Sequence, residues 1–235
     1  QFGSKKFVIE TGSVSAQIRN VPVDGNVILT STEMLNVPSI PQDLIIIGGG
    51  YIGMEFACLF SGLGSKVTVI EMLPQIISTE DEEVIRGFTT LLKKRGIQIR
   101  TETKVKEAKV KDGCAEVIVL NQEGKEEGFQ AEKALMAVGR SPYTEGLRLE
   151  KAGVALDGKF IKVNEKMETT SPGIYAIGDV TGRQMLAHKA SAEGIVAAEN
   201  ALGRFNKVDY AKIPNCIFTL PEVASIGLTE KQAKE

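Results

Sequence analysis

The run Leu44-Ile45-Ile46-Ile47-Gly48-Gly49-Gly50-Tyr51-Ile52-Gly53-Met54-Glu55 leaves the chain few ways to fold. An apolar stretch breaks into glycines and then opens a helical pattern. Gly48, Gly50 and Gly53 have the spacing G-x-G-x-x-G, and each place asks for glycine for its own reason. Gly48 permits the tight turn out of a strand, Gly50 lets a pyrophosphate approach the backbone, and Gly53 lets helix and strand lie close. Amides left free at the helix start then meet phosphate charge. A second apolar stretch, Lys66 to Ile70, ends in Glu71. That acid stands about 20 residues past the glycines, where a ribose 2′-hydroxyl needs an acceptor. The pattern predicts a parallel α/β unit that binds a dinucleotide. The plainer alternatives are an ordinary glycine-rich turn and a solvated carboxylate at a strand end.

Glu71 also bears on the kind of dinucleotide. A carboxylate accepts hydrogen bonds from a ribose diol and repels a 2′-phosphate, which calls instead for an arginine. Met72, Leu73, Pro74 and Gln75 follow it, with no base among them. NAD is therefore expected over NADP. Glu55 follows the glycines at the start of the helix. It is either an exposed acid suited to the helix dipole or a group near the nicotinamide.

With 235 residues, 43% hydrophobic and 25% charged, the chain can build a sizeable core in one large domain or two small ones. A formal charge of −2 gives no pull toward nucleic acid or an anionic membrane. No apolar run approaches a membrane span, and Gln1-Phe2-Gly3-Ser4-Lys5-Lys6 lacks a signal-peptide pattern. Cys58, Cys114 and Cys216 stand far apart, form no C-x-x-C pair, and share the chain with one histidine. A metal site is not expected. Reduced cysteines fit a cytoplasmic setting, or an organelle matrix in a eukaryote. The sequence lacks an initiator methionine and closes on a helix-like stretch, so a piece of a longer protein is expected.

Along the chain, residues 5–10 read as a strand and residues 14–40 as irregular, with a short helix near Ser31 to Leu35 that Ser31 or Thr32 could cap. Asp81 to Lys94 reads as an amphipathic helix with Val84, Ile85, Phe88, Leu91 and Leu92 on one stripe. Residues 104–130 predict three short antiparallel strands, turned at Asp112-Gly113 and at Asn121 to Gly124. A further strand, Lys133 to Val138, ends at Gly139-Arg140. Ile174 to Ile177 reads as a buried strand ending at Gly178-Asp179, and Met185 to Leu202 as an alanine-rich helix.

Asp179 stands at the carboxyl end of an apolar strand, where open α/β sheets bind ligands. On spacing alone an aspartate capping a turn is the better account. The start of the following helix could stabilise an anionic ring such as a reduced flavin. His188, the one histidine, has no visible orienting partner for acid/base work. A helix-start histidine touching ligand or water is the better reading. No triad or paired carboxylate set emerges.

Taken together, these motifs resemble the flavoprotein pyridine nucleotide–disulfide oxidoreductases, along essentially the whole chain. Within that family the resemblance is to the branch that reoxidises dihydrolipoamide. Thr11-Gly12-Ser13 is similar to the family's first turn against FAD, with Glu10 where alanine is usual. Gly48 to Glu55 matches the NAD loop, so Gly48, Gly49, Gly50, Tyr51, Ile52, Gly53, Met54 and Glu55 are the implied NAD-contacting residues, with Glu71. Val138-Gly139-Arg140-Ser141-Pro142 matches a second such turn, whose Gly139 lies near NAD. Thr103-Lys104-Val105 resembles the stretch whose valine lies along the adenine. Tyr175 to Val180 matches the FAD aspartate motif, which makes Asp179 an implied ligand of the ribityl chain. Met185-Leu186-Ala187-His188-Lys189-Ala190 is the most discriminating string and lies beside the flavin in that branch. Tyr51 stands where some members place an aromatic flap over the flavin. The alternative is a helix-start residue packed in the core.

The resemblance implies an α/β architecture. A Rossmann-like NAD domain at 38–157, with its antiparallel meander, is inserted into a split, incomplete FAD domain at 1–37 and 158–207. An interface domain begins at 208. It also implies NAD and FAD as cofactors, dihydrolipoamide on a lipoyl domain as partner, and a homodimer. The redox cysteine pair, the first FAD glycine loop and the lysine facing Glu55 would lie upstream. The acid/base histidine and its glutamate would lie downstream. The chain itself would carry no catalytic residue, and none of its three cysteines has a partner at the C-x4-C spacing.

Overall fold

The computed structural model describes residues 3–235; Gln1 and Phe2, the first residues of the expected FAD segment, lie outside the described residues. The chain forms two compact units. Among the described residues, one joins 3–14 to 140–215, the other 15–139 to 216–235.

The second unit is built on a parallel sheet of five strands in the order Ile28–Leu29, Lys133–Met136, Asp43–Ile47, Lys66–Ile70, Gln98–Arg100. Asp43–Ile47 runs in register with Lys66–Ile70 on one side and with Lys133–Met136 on the other. Strands covered on both faces are apolar at every position, and Leu44, Ile45, Ile46 and Ile47 are all buried. Their side chains alternate between two cores. Leu44 and Ile46 meet Met54, Ala57 and Phe60 of the helix Tyr51–Gly62 and Phe88 and Leu92 of the helix Glu82–Lys94. Ile45 and Ile47 meet Ala115, Val117 and Val119. Those three come from the antiparallel meander Lys104–Lys111, Cys114–Leu120, Glu126–Ala131, whose middle strand buries every second residue. The meander thus covers the face that the helices leave open. Its first turn matches the sequence reading, with positive φ at both Asp112 (51°) and Gly113 (77°), as a two-residue hairpin turn requires.

Three local expectations are corrected. Residues 14–40 are not all irregular, because Ile28–Leu29 joins the parallel sheet through Lys133–Met136. The helix Ser31–Met34 is capped by Thr30, in a capping box with Glu33, and not by Ser31 or Thr32. In the helix Glu82–Lys94, capped by Asp81, the stripe is narrower than expected. Ile85, Phe88 and Leu92 are buried, while Val84 and Leu91 are 41% and 45% exposed.

In the first unit, the strand Phe7–Ile9 pairs in parallel with Ile174–Ala176. The latter runs into a 3-10 turn, Gly178–Thr181, and then the helix Ala187–Ala201. That helix starts two residues later than expected, so Met185 and Leu186 precede it. Val196 and Ala197 on the helix meet Tyr175 and Ile177.

Candidate functional site

The glycine loop is held by contacts that only glycine allows. Gly48 has φ of 111°, and a Cβ there would stand 2.3 Å from the Ala137 carbonyl oxygen. A Cβ on Gly53 would stand 2.0 Å from the Gly48 carbonyl oxygen. Gly50 differs: a Cβ there would meet nothing within 4 Å. Gly50 begins the helix Tyr51–Gly62 with no side chain capping it. Space in front of Gly50, beside amides that no side chain caps, fits a pyrophosphate, since the positive end of a helix favours negative charge.

Glu71 closes one side of this loop. Its Oε2 accepts the Gly49 N–H at 2.6 Å and its Oε1 the Leu73 N–H at 2.7 Å. An ionised carboxylate offers about four acceptor positions, so Glu71 stays fixed while retaining lone pairs for a ribose hydroxyl. Of the remaining NAD candidates, Met54 is wholly buried beneath the helix, and Ile52 packs on the same core. Val105 packs against the meander-side core, at an irregularity in the strand pairing. Gly139, with φ of 111°, accepts the Ala16 N–H.

Two candidates have protein partners that the sequence did not signal. Glu55 Oε1 accepts the Phe218 N–H at 2.9 Å. The Tyr51 hydroxyl donates to Glu80 Oε1 and lies 2.9 Å from Thr79 Oγ1. Burial, followed by the Glu80 bond, pushes the Tyr51 phenol up to about 12.

The first unit assembles a second group. The Thr11 hydroxyl donates to the Tyr143 carbonyl, and the Tyr143 N–H returns to the Gly12 carbonyl. Gly12 takes φ of 70° at this turn. The Ser13 hydroxyl donates to Asp179 Oδ2 and accepts from Arg140 Nε at 2.6 Å. Arg140 also donates to the Ser13 carbonyl and stands 3.8 Å from Asp179. Asp179 is therefore held by a hydroxyl and a guanidinium rather than capping a turn of its own. Arg140 was not among the expected site residues; the only signal was that a lone base follows Gly139.

Leu186 begins the helix Ala187–Ala201 without a side-chain cap. His188 faces a protein group: its Nε2 lies 2.7 Å from the Pro214 carbonyl oxygen. Lys189, its neighbour, is completely buried. It donates to the Gly178 and Gly182 carbonyls and to Glu193, which is equally buried. Glu193 in turn accepts from the Gly178 N–H and the Tyr210 hydroxyl. These bonds fix both ends of the turn that carries Asp179. In sequence the pair reads as an ordinary i, i+4 surface pair.

Cys58, Cys114 and Cys216 are free and half-buried. Burial pushes the Cys58 thiol up, which disfavours the reactive thiolate. Among the described residues no group of three or more His, Cys, Asp or Glu side chains is placed to hold a metal ion. Among the same residues no helix is long and apolar enough to cross a membrane.

Residues 1–194 match the family model described as pyridine nucleotide-disulphide oxidoreductase. A dihydrolipoyl dehydrogenase of Thermus scotoductus is 44% identical over 237 residues, covering all of this chain and 51% of its own length. The mitochondrial dihydrolipoyl dehydrogenase of Pisum sativum is 39% identical, covering 98% of this chain and 46% of itself. Among solved structures, LpdA of Mycobacterium tuberculosis superposes with a TM-score of 0.88 at 28% identity, covering 95% of this chain and 48% of that one. The HOCl-induced flavoprotein disulfide reductase RclA of Escherichia coli also gives 0.88, at 29% identity, covering 97% of this chain and 53% of that one. This chain spans about half the length of the curated relatives it matches. With the family model matching most of its length, the chain belongs to the pyridine nucleotide–disulfide oxidoreductases.

Proposed function

We propose that this chain supplies the NAD(H)-binding domain, and a flanking flavin-contacting part, of a flavin-dependent oxidoreductase that reoxidises dihydrolipoamide. The observation that carries the reading is the uncapped helix start behind Gly50, with Glu71 fixed beside it. The relatives named dihydrolipoyl dehydrogenase support the substrate. Gly48 to Glu55, Glu71, Val105 and Gly139 would hold NAD. Thr11, Gly12, Ser13, Asp179 and the stretch Met185 to His188 would lie along FAD. The paired cofactors, when bound, supply the electron and hydride transfer. The chain's own residues bind and orient. The amides at the helix start behind Gly50 take the pyrophosphate, Glu71 takes the ribose diol, and Arg140 with Ser13 holds the Asp179 carboxylate in place. A lipoyl domain as substrate carrier and a homodimer complete the reading.

A second reading has support of its own: the unit of 15–139 and 216–235 has a complete sheet and two cores without the first unit. Such a unit could act as a bare NAD(H)-binding module. Titration of the purified chain with NADH and NADPH, followed by its visible spectrum after incubation with FAD, separates the readings. Tighter NADH binding with retained flavin absorbance supports the oxidoreductase. NADH binding by a colourless chain supports the module. Preference for NADPH overturns the assignment of Glu71. The substrate is tested separately, by dihydrolipoamide-dependent NADH formation in the full-length protein.

A further inference from the structure

The segment that follows Glu71 turns back beneath the glycine loop and is fastened to it at three points. The Ile77 N–H donates to the Gly49 carbonyl at 2.8 Å. The Ile76 side chain lies 2.7 Å from where a Gly49 Cβ would stand. The Tyr51 hydroxyl donates to Glu80.

This arrangement is costly. Ile77 is β-branched, buried, and held at φ of 42°, a region such residues rarely enter. Glu80 is 5% exposed. Its Oε2 has no hydrogen-bond partner, and its Oε1 is taken up by Tyr51. A buried carboxylate satisfied on one oxygen alone is unfavourable. Strain of this kind persists where the surroundings over-determine it, and it clusters at functional positions. Tyr51 is the first residue of the helix whose amides face the phosphate space. Glu71, the ribose acceptor, opens the same segment that Glu80 closes.

We propose that residues 76–80 brace the glycine loop from behind, and that Tyr51 and Glu80 are positioning residues for the bound dinucleotide. The inference rests on the nucleotide-binding reading above. Phosphate amides and ribose carboxylate act together only when their spacing is fixed, and a small misplacement loses several bonds at once. The Tyr51–Glu80 bond sets that spacing, and the burial that drives the Tyr51 phenol upward keeps it a neutral donor.

The test is a double-mutant cycle on this chain, with Kd read by NADH fluorescence titration and folding followed by circular dichroism and melting. Tyr51→Phe and Glu80→Met should each weaken NADH binding about tenfold or more, the scale of one hydrogen bond to a charged group. The double variant should bind about as the weaker single does, because both changes remove one bond. Glu80→Gln, which keeps an acceptor for the phenol, should stay within about twofold of wild type. If Glu80→Met does not fold, Tyr51→Phe and Glu80→Gln decide. A folded Tyr51→Phe chain with unchanged Kd overturns the inference while leaving the nucleotide reading intact. So does a Tyr51→Phe chain that fails to fold, since the bond is then structural. A wild-type chain that binds no NADH overturns both.

Discussion

Glu71 and Gly49 are joined by a 2.6 Å hydrogen bond in which the carboxylate accepts the amide of the loop it serves. The second carboxylate oxygen takes the Leu73 amide, so one side chain ties two backbone segments. Glu71→Ala leaves both amides without it and should cost about 2 kcal/mol, the scale for bonds to a charged acceptor. Glu71→Gln keeps one acceptor oxygen and should lose less. Urea unfolding measures the difference. Equal stability of Glu71→Ala and wild type would mean that solvent replaces both bonds.

The glycines of two helices should respond oppositely to alanine. Gly53→Ala drives a methyl group to 2.0 Å from the Gly48 carbonyl oxygen. The backbone must move, and the change should cost several kcal/mol, as strong overpacking does (roughly 3 or more). Gly87 sits in the helix Glu82–Lys94 with nothing within 4 Å of a Cβ. Gly87→Ala should stabilise by about 0.5–1 kcal/mol, because alanine loses less backbone entropy. Thermal melting of both variants checks the contrast, and a stable Gly53→Ala chain would mean the loop relaxes freely.

What the sequence disclosed, and what it hid, follows from whether a requirement is local. Gly48 and Gly53 were legible because a tight turn and a close helix approach demand glycine whatever else surrounds them. The meander was legible from Asp112-Gly113 and from alternation in Cys114–Leu120. The strand Ile28–Leu29 has only two residues, too short for any period to declare itself. Val84 and Leu91 carry the helical period but fall to one side of the buried line Ile85, Phe88 and Leu92, and so end up outside. Lys189, Glu193 and Glu80 look like surface charges. Their burial depends on partners distant in sequence, Gly178 and Tyr210 for Glu193 and Tyr51 for Glu80. The cation that meets Asp179 was missed for the same reason: Arg140 reaches it only after folding brings the Ser13 turn alongside.

The buried Lys189–Glu193 pair should be intolerant of half-measures. Lys189→Met leaves an unpaired carboxylate at zero exposure and should destabilise by about 3–5 kcal/mol. The double variant Lys189→Met with Glu193→Met removes both charges and should recover part of that loss. Recovery stays incomplete, since the Gly178 N–H and the Tyr210 hydroxyl lose their acceptor. Chemical denaturation of the three chains checks the order wild type, double, single. A single variant as stable as wild type would show that water reaches the pair.

Alkaline pH should weaken the fold through two half-buried phenols. The Tyr51 phenol is pushed from its ordinary value near 10 to about 12, first by burial and then by the Glu80 hydrogen bond. Tyr210 is pushed upward for the same reasons, with Glu193 as its partner. Below the ordinary value both folded and unfolded chains keep these protons, and the shift has no effect. Between pH 10 and about 12 the unfolded chain has released the Tyr51 proton and the folded chain still holds it. The folded state then binds more protons, so stability falls as pH rises through that window. Denaturation midpoints measured across it should decline, and should decline less steeply in Tyr51→Phe, which has no phenol to release. In the folded protein, the absorbance change assigned to Tyr51 by difference against that variant should appear near pH 12 rather than pH 10. A Tyr51 signal at the ordinary value would mean that its hydroxyl is open to solvent and that the Glu80 bond does not persist in solution.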